Sequence, residues 1–255
     1  MTTKLQVLIT GSNGNLGTRL ISRLKAMEIV DAHAVTRVNG DFDFNTLNKQ
    51  IDDLGENEKV LVHLAWNTLD RSHEAQQKCV RQTAEIAEVC NTRGVRMIFV
   101  SSMSSHENAR SKYGEGKFCA EKEVQKRGGC VIRPGFVLMS PAAGLQNMFR
   151  NPFLRMFNIR FVSPELFVPV ITEQNFLESM CEQIKNSPNN GDVKMHSEWI
   201  PLGRVGGYLQ NRSGKQLNVR IKTRFVSKSI HVFGFLNRRV RELEDSFTGL
   251  VDINK

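Results

Sequence analysis

The stretch Lys4-Leu5-Gln6-Val7-Leu8-Ile9-Thr10, followed by Gly11-Ser12-Asn13-Gly14-Asn15-Leu16-Gly17, decides the fold. A short apolar strand runs straight into glycines at 11, 14 and 17. Beyond them Leu16, Leu20, Ile21, Leu24 and Met27 recur at helical spacing. Glycine in such a turn allows a tight bend, lets backbone approach a pyrophosphate and lets the helix pack closely on the strand. The phosphates then lie at a helix N-terminus, where unpaired N–H groups point outward. Gly11, Asn13, Gly14, Asn15, Leu16 and Gly17 are therefore read as a dinucleotide-binding loop.

Working outward, Asp31 to Arg37 reads as a second strand ending in Thr36-Arg37. An acid at this strand end hydrogen-bonds a ribose 2′-hydroxyl, whereas an arginine accommodates a 2′-phosphate. Arg37 thus favours NADP(H), and nearby Asp41 keeps NAD(H) as a close alternative. Too few residues separate Arg37 from Gly40-Asp41-Phe42-Asp43-Phe44 for a full crossover helix, so this unit is trimmed. Leu47 to Leu54 supplies a short helix. Val60 to Ala65 is a nearly continuous apolar strand of the buried parallel kind, with Trp66-Asn67 at its carboxyl end beside the cofactor. His63 reads as a strand residue of the core.

Ser72 to Arg93 predicts a long helix with Val80, Ala84, Ala87 and Asn91 on one face and Gly94 just past its end. The strand Val95 to Ser102 delivers two serines to the carboxyl edge. A helix from Lys112 to Arg127 follows, stopped by Gly128-Gly129, and Cys130 to Arg133 resumes the sheet. This alternation predicts an α/β class, a Rossmann-type doubly wound parallel sheet over residues 1–165. Past Met139 the alternation loosens. Residues 144–161 are rich in Phe and Arg, Thr172 caps a helix from Glu173 to Asn186, and Asp192 to Ile200 is strand-like. Residues 166–255 are expected to form a small substrate-binding part, interleaved with the first.

Hydrophobic residues make up 40% of the 255, enough for a packed core, and no 18-residue apolar run predicts a membrane span. The first ten residues contain no apolar stretch of signal-peptide length. Five widely spaced cysteines fit neither a zinc site nor a disulfide framework, which points to a reducing cytoplasm. The net charge of +9 is concentrated between Arg220 and Arg241, where seven Lys/Arg stand without an acid. No nucleic-acid motif accompanies it, so a basic pocket for an anionic substrate or cofactor is the better reading. Phe225, Val226, Ile230, Val232, Phe233, Phe235, Leu236 and Val240 interleave with these cations. That pattern suits a peripheral membrane or protein contact, but Gly234 interrupts it and packing on the chain's own body is preferred.

Ser101 and Ser102 at a strand end, then Tyr113-Gly114-Glu115-Gly116-Lys117 at the next helix, carry the chemistry. Tyr113 and Lys117 are i,i+4 and share a helical face. A phenol near pKa ~10 is a poor base at neutral pH, and bringing it to ~7 takes about 4 kcal/mol, which a neighbouring ammonium and a nicotinamide cation supply. Tyr113 would then exchange a proton with a substrate hydroxyl while a serine holds the same oxygen.

These pieces together, TGSNGNLG (10–17), HLAWN (63–67), FVSSMS (99–104), YGEGK (113–117) and RPG (133–135), resemble the extended short-chain dehydrogenase/reductase superfamily, in its NAD(P)-dependent epimerase/dehydratase branch. The resemblance implies Tyr113 as general acid/base, Lys117 as the residue that lowers its pKa and holds the nicotinamide ribose, and Ser101 or Ser102 as polar partner. It further implies Leu64, Ala65, Trp66, Arg133 and Pro134 beside the cofactor, and a homodimer built on the Tyr-bearing helices. His106 is a loop residue that stands in for a polar contact if one is missing. Substrates of this branch are chiefly nucleotide-linked sugars, and epimerisation through a transient keto intermediate is the first expectation. The alternatives are an NADPH-dependent reductase or dehydrogenase of a keto or deoxy sugar nucleotide, and a non-catalytic dinucleotide-sensing or scaffold protein. Met103-Ser104 after Ser102 argues against dehydration.

Overall fold

The computed structural model describes residues 4–28, 30–35, 42–70, 72–109, 111–139, 159–162, 167–186, 191–195, 198–201 and 217–220. Six parallel strands form its main sheet: β1 (Leu5–Thr10), β2 (Val30–Val35), β3 (Lys59–His63), β4 (Arg96–Val100), β5 (Cys130–Pro134) and β9 (Asp192–Met195). Their spatial order is β2-β1-β3-β4-β5-β9. With β2 and β3 on opposite sides of β1, the strand order reverses between β1 and β3, and ligands of such sheets bind outside the carboxyl ends at that reversal.

Alternation along the strands sorts the core into two faces. Val7 and Ile9 join Val60, Val62, Ile98 and Ile132 beneath α1 (Asn15–Lys25) and α5 (Glu173–Asn186). Leu8, Leu61, Met97, Phe99 and Val131 face α2 (Phe44–Asp53), α3 (His73–Thr92) and α4 (Lys112–Lys126). The result is a three-layer α/β/α sandwich, the Rossmann-type arrangement read from the sequence. Short polar side chains start the helices: Asp43 accepts from the Asn45 N–H, Ser72 from Ala75, Ser111 from Gly114 and Thr172 from Asn175.

A smaller mixed sheet has the order β10-β8-β6. Here β6 (Phe136–Leu138) runs parallel to β8 (Phe167–Thr172), and β10 (Glu198–Pro201) runs antiparallel to it. Two further strands, β7 (Ile159–Val162) and β11 (Leu217–Arg220), pair in parallel. No helix among the described residues is long and apolar enough to cross a membrane. The basic-aromatic stretch 221–241, Arg37 and Asp41 lie outside the described residues.

Three readings of the sequence need correction. The buried face of α3 is Gln76, Cys79, Thr83, Ile86, Ala87 and Cys90, with Val80 packed half-buried at its edge and Asn91 exposed, because Gln76 and Thr83 turn inward to satisfy buried polar groups. The strand ending in two serines stops at Val100, so Ser101 and Ser102 stand just beyond its edge. The segment 192–200 is two strands in two sheets, since β9 has β5 as its neighbour and β10 has β8.

An ion-pair chain ties β9 to the body. Arg133 on β5 donates from Nε and Nη2 to Glu121 of α4 at 2.9 and 2.5 Å, and from Nη1 to both oxygens of Asp192 on β9 at 2.7 and 2.5 Å. The Glu121 side chain is only 1% exposed. A buried carboxylate stripped of its partner is strongly destabilising. Arg133→Met should therefore lower the free energy of unfolding by about 3 kcal/mol, measured by urea denaturation, with Asp192→Asn costing much less because Asp192 is half-exposed.

Candidate active site

The floor of the site is backbone. Gly11 follows β1 at φ +72°, and a Cβ there would lie 2.7 Å from the Ala65 nitrogen and 2.9 Å from the Leu64 carbonyl carbon. A Cβ on Gly17 would overlap the Gly11 carbonyl oxygen. The turn after β1, the turn after β3 and the first turn of α1 thus meet where no side chain fits. The Gly14 N–H closes the loop onto the Gly11 oxygen at 2.9 Å. Gly14 is also the N-cap of α1, which has no capping side chain and no acid in its first turn. Its opening amides are left for an anion, and Asn13, Gly14 and Asn15 around them are exposed. These features fit a pyrophosphate.

One residue past Ala65, Trp66 spans from this floor to α4. Its indole N–H donates to Gln76 Oε1 at 2.8 Å, and the Gln76 amide donates to the Asn67 and Asp70 carbonyls at 3.0 and 2.8 Å. Gly116 lets α4 approach this pair, since a Cβ there would sit 3.3 Å from Gln76 Cβ and 3.4 Å from the indole. The Trp66 ring meets the Tyr113 ring edge-on, with centroids 6.4 Å apart at 87°. Lys117 Nζ lies 4.2 Å from the Trp66 ring centroid and 4.5 Å from that of Phe99, and donates to the Val100 carbonyl at 2.9 Å.

Lys117 is 3% exposed. Burial pushes its pKa from 10.5 down to about 7, against the opposing pull of Glu121 and Cys79. Its ammonium is held by a carbonyl and two aromatic faces, a weakly solvating environment for a cation.

The serines divide by hydrogen bonding. Ser102 is half-buried, its Oγ accepting from the Ser104 N–H at 3.1 Å and donating to Ser104 Oγ at 3.3 Å. Ser101 and Ser105 are each 5% exposed, and their hydroxyls have no hydrogen-bond partner among the described residues. Such groups cost about 1–3 kcal/mol each unless something binds them. Ser101 follows directly on Val100, which holds Lys117. Half-buried His106 stands in the same loop.

The structure therefore brings the glycine loop, Leu64, Ala65, Trp66, Tyr113, Lys117 and Ser101 to one edge of the sheet, at the carboxyl ends of β1, β3 and β4. Arg133 does not join them through its guanidinium, which is held by Glu121 and Asp192, while Pro134 beside it is buried. Gln76 and Ser105 went unread in the sequence. An inward-facing polar residue three before Cys79 is the signal for Gln76, and nothing local distinguishes Ser105 from its neighbours.

A doubly wound α/β domain with a backbone anion site at its strand-order reversal is a dinucleotide-binding class of fold. Residues 5–155 match the model of the RmlD substrate binding domain family, and the chain belongs to that family, one of NAD(P)-binding, epimerase/dehydratase-like proteins. No curated protein matches. Among solved structures, dTDP-4-dehydrorhamnose reductase from Bacillus anthracis in complex with NADP is similar at TM-score 0.68 and 13% identity, over 87% of this chain and 85% of that one. UDP-N-acetylglucosamine 4-epimerase from Bacillus cereus gives 0.64 and 15%, over 87% and 91%. MoeE5 in complex with UDP-glucose and NAD gives 0.61 and 17%, over 86% of each chain. At these identities the likeness is one of fold.

The buried lysine has a consequence for stability. The unfolded chain holds the Lys117 proton up to about 10.5 and the folded chain only to about 7, so the unfolded state binds more protons in between and the folded state gains stability as pH rises across that window. Lys117→Met removes a charge that is costly below that window. Its melting temperature should exceed the wild type's by roughly 3–6 °C near neutral pH, with the difference fading toward pH 10, as followed by calorimetry.

Proposed function

We propose that this protein is an NADPH-dependent reductase of a keto sugar carried on a nucleotide. The observation that carries the reading is the meeting, at one sheet edge, of the uncapped glycine-loop helix with Tyr113, Lys117 and the orphan hydroxyl of Ser101. Membership in the RmlD family supports reduction over epimerisation.

The amides at the start of α1 and the glycine-loop backbone would hold the pyrophosphate, Arg37 would take the 2′-phosphate, and Asp41 would take a ribose hydroxyl if NAD(H) were used instead. When bound, the reduced nicotinamide supplies the hydride that the substrate's carbonyl carbon accepts. Tyr113 gives its phenolic proton to the carbonyl oxygen. Ser101 offers its hydroxyl to that same oxygen, holding it as its charge changes, while Ser102, tied to Ser104, would have to turn from that bond to do the same. The Lys117 ammonium stabilises the phenolate that remains until solvent returns the proton. Trp66 shields this exchange and keeps Lys117 from drifting into water. The same reading takes the protein to be a homodimer built on α4.

Tyr113→Phe should lower kcat for keto-sugar nucleotide reduction by about 10²–10⁴-fold while leaving the dissociation constant for NADPH within about threefold. Strong residual turnover would remove Tyr113 from the role of acid. Arg37→Ala should weaken NADPH more than NADH in fluorescence titration. Because the charged form of Lys117 is the useful one, kcat/KM for the dinucleotide should fall as pH rises through about 7. Mass spectrometry of small molecules released from protein purified without added cofactor should find the site empty or exchanging NADPH. Tightly retained NAD(H) would instead favour an epimerase that regenerates its cofactor at every cycle.

A further inference from the structure

Beneath the glycine loop a line of polar side chains crosses the buried interior. Thr10 and His63 are the last residues of β1 and β3, paired across the sheet. The Ala65 N–H donates to Thr10 Oγ1 at 3.3 Å, and Thr10 Oγ1 lies 2.6 Å from His63 Nδ1. On the other side of the ring, His63 Nε2 lies 3.0 Å from Thr83 Oγ1, and the Thr83 hydroxyl donates to the Cys79 carbonyl at 2.8 Å. Thr10, His63 and Thr83 are 1%, 3% and 0% exposed.

Both ends of the line have fixed polarity, because an amide N–H only donates and a carbonyl only accepts. Thr83 has given its single proton to Cys79, so it accepts from His63 and Nε2 must carry a hydrogen. Thr10 accepts from Ala65, which leaves its own proton available to Nδ1. That nitrogen can receive it only if the ring is neutral. The imidazole is buried and stacks on Phe99 with centroids 5.6 Å apart at 27°, and the Lys117 ammonium lies 4.5 Å from the centroid of that same Phe99 ring, so an imidazolium there would be costly. A neutral ring then gives every one of these four hydrogen bonds a direction.

We infer that His63 is a positioning residue. As a neutral imidazole with its proton on Nε2, it completes a one-directional chain from the Ala65 amide through Thr10 to Thr83 and Cys79, and so fixes how closely the turn after β3 approaches Gly11. The consequence for cofactor affinity rests on the dinucleotide reading above, whereas the chain itself does not.

Two substitutions divide the ring's functions. In His63→Asn the side-chain oxygen falls near the place of Nδ1 and still accepts from Thr10, while Thr83 loses its donor. In His63→Gln the amide nitrogen falls near Nε2 and still donates to Thr83, while Thr10 loses its acceptor. A role limited to filling space predicts the opposite ranking, since asparagine leaves the larger void. The measurements are the ring tautomer of the wild type from long-range proton–nitrogen NMR, hydrogen exchange at the Ala65 amide, and NADPH titration of all three proteins. The expected results are an Nε2–H ring, Ala65 protection and NADPH affinity within about threefold of wild type in His63→Asn, and both reduced about tenfold in His63→Gln. A ring protonated on Nδ1, or a larger loss in His63→Asn than in His63→Gln, overturns the inference. If neither variant folds, the wild-type tautomer decides it. A wild type that binds neither NADPH nor NADH overturns the dinucleotide reading instead, and the tautomer and Ala65 exchange still judge the chain.

Discussion

Backbone meets backbone at Gly11, and the rest of the site depends on that contact. A side chain at position 11 would collide with the Leu64–Ala65 turn, and one at position 17 with the Gly11 carbonyl. Removing both Cβ atoms lets β1, β3 and α1 converge at the reversal of strand order, where a parallel sheet opens a crevice. Residues further along each segment inherit their positions from it. Ala65 rests on the loop, Trp66 reaches across to α4, and Gln76 anchors the indole from α3. The site is thus set by how near three chain segments can come, with side chains added to that frame.

Helix α4 carries three polar side chains along one stripe at four-residue spacing: Tyr113, then Lys117, then Glu121. The sequence of environments along it is ordered by depth. Tyr113 is half-buried beside Trp66, Lys117 is buried against two aromatic faces and a carbonyl, and Glu121 is buried with Arg133 as its partner. Glu121 pulls the Lys117 pKa up while desolvation, the larger effect, pulls it down. Because Arg133 and Asp192 share that carboxylate's surroundings, the strand that closes the sheet and the buried lysine one turn from Tyr113 are linked through one buried acid.

Much of the fold was legible because local signals agreed with one another. The glycine loop, the buried strands and the capped helices each have a pattern within ten to twenty residues, and the alternation of strand and helix then forces a doubly wound sheet. The Tyr113/Lys117 pair was legible for the same reason, being one turn of one helix. Less legible were features with partners far away in sequence. The inward face of α3 was misread because Gln76 and Thr83 look like solvent-facing residues until Trp66 and His63 are placed against them. The split of residues 192–200 between two sheets depends on β5 and β8, which no local pattern reveals. Arg133 looked available for a ligand because its two carboxylate partners are 12 and 59 positions away.

Hydrogen-bond satisfaction separates the groups that hold this structure together from those turned toward a ligand. The Thr10–His63–Thr83 line has every polar atom accounted for, and Ser102 is tied to Ser104. By contrast, the first amides of α1 lack a capping side chain, and the Ser101 and Ser105 hydroxyls are buried without a partner among the described residues. A fold selected only for stability has no reason to keep such groups, since each costs free energy that an alanine or an acidic cap would recover. They gather at the same edge of the sheet as Lys117, another group that is costly to bury. Concentrated unsatisfied donors beside a desolvated cation describe a surface whose complement is an anion and an oxygen acceptor.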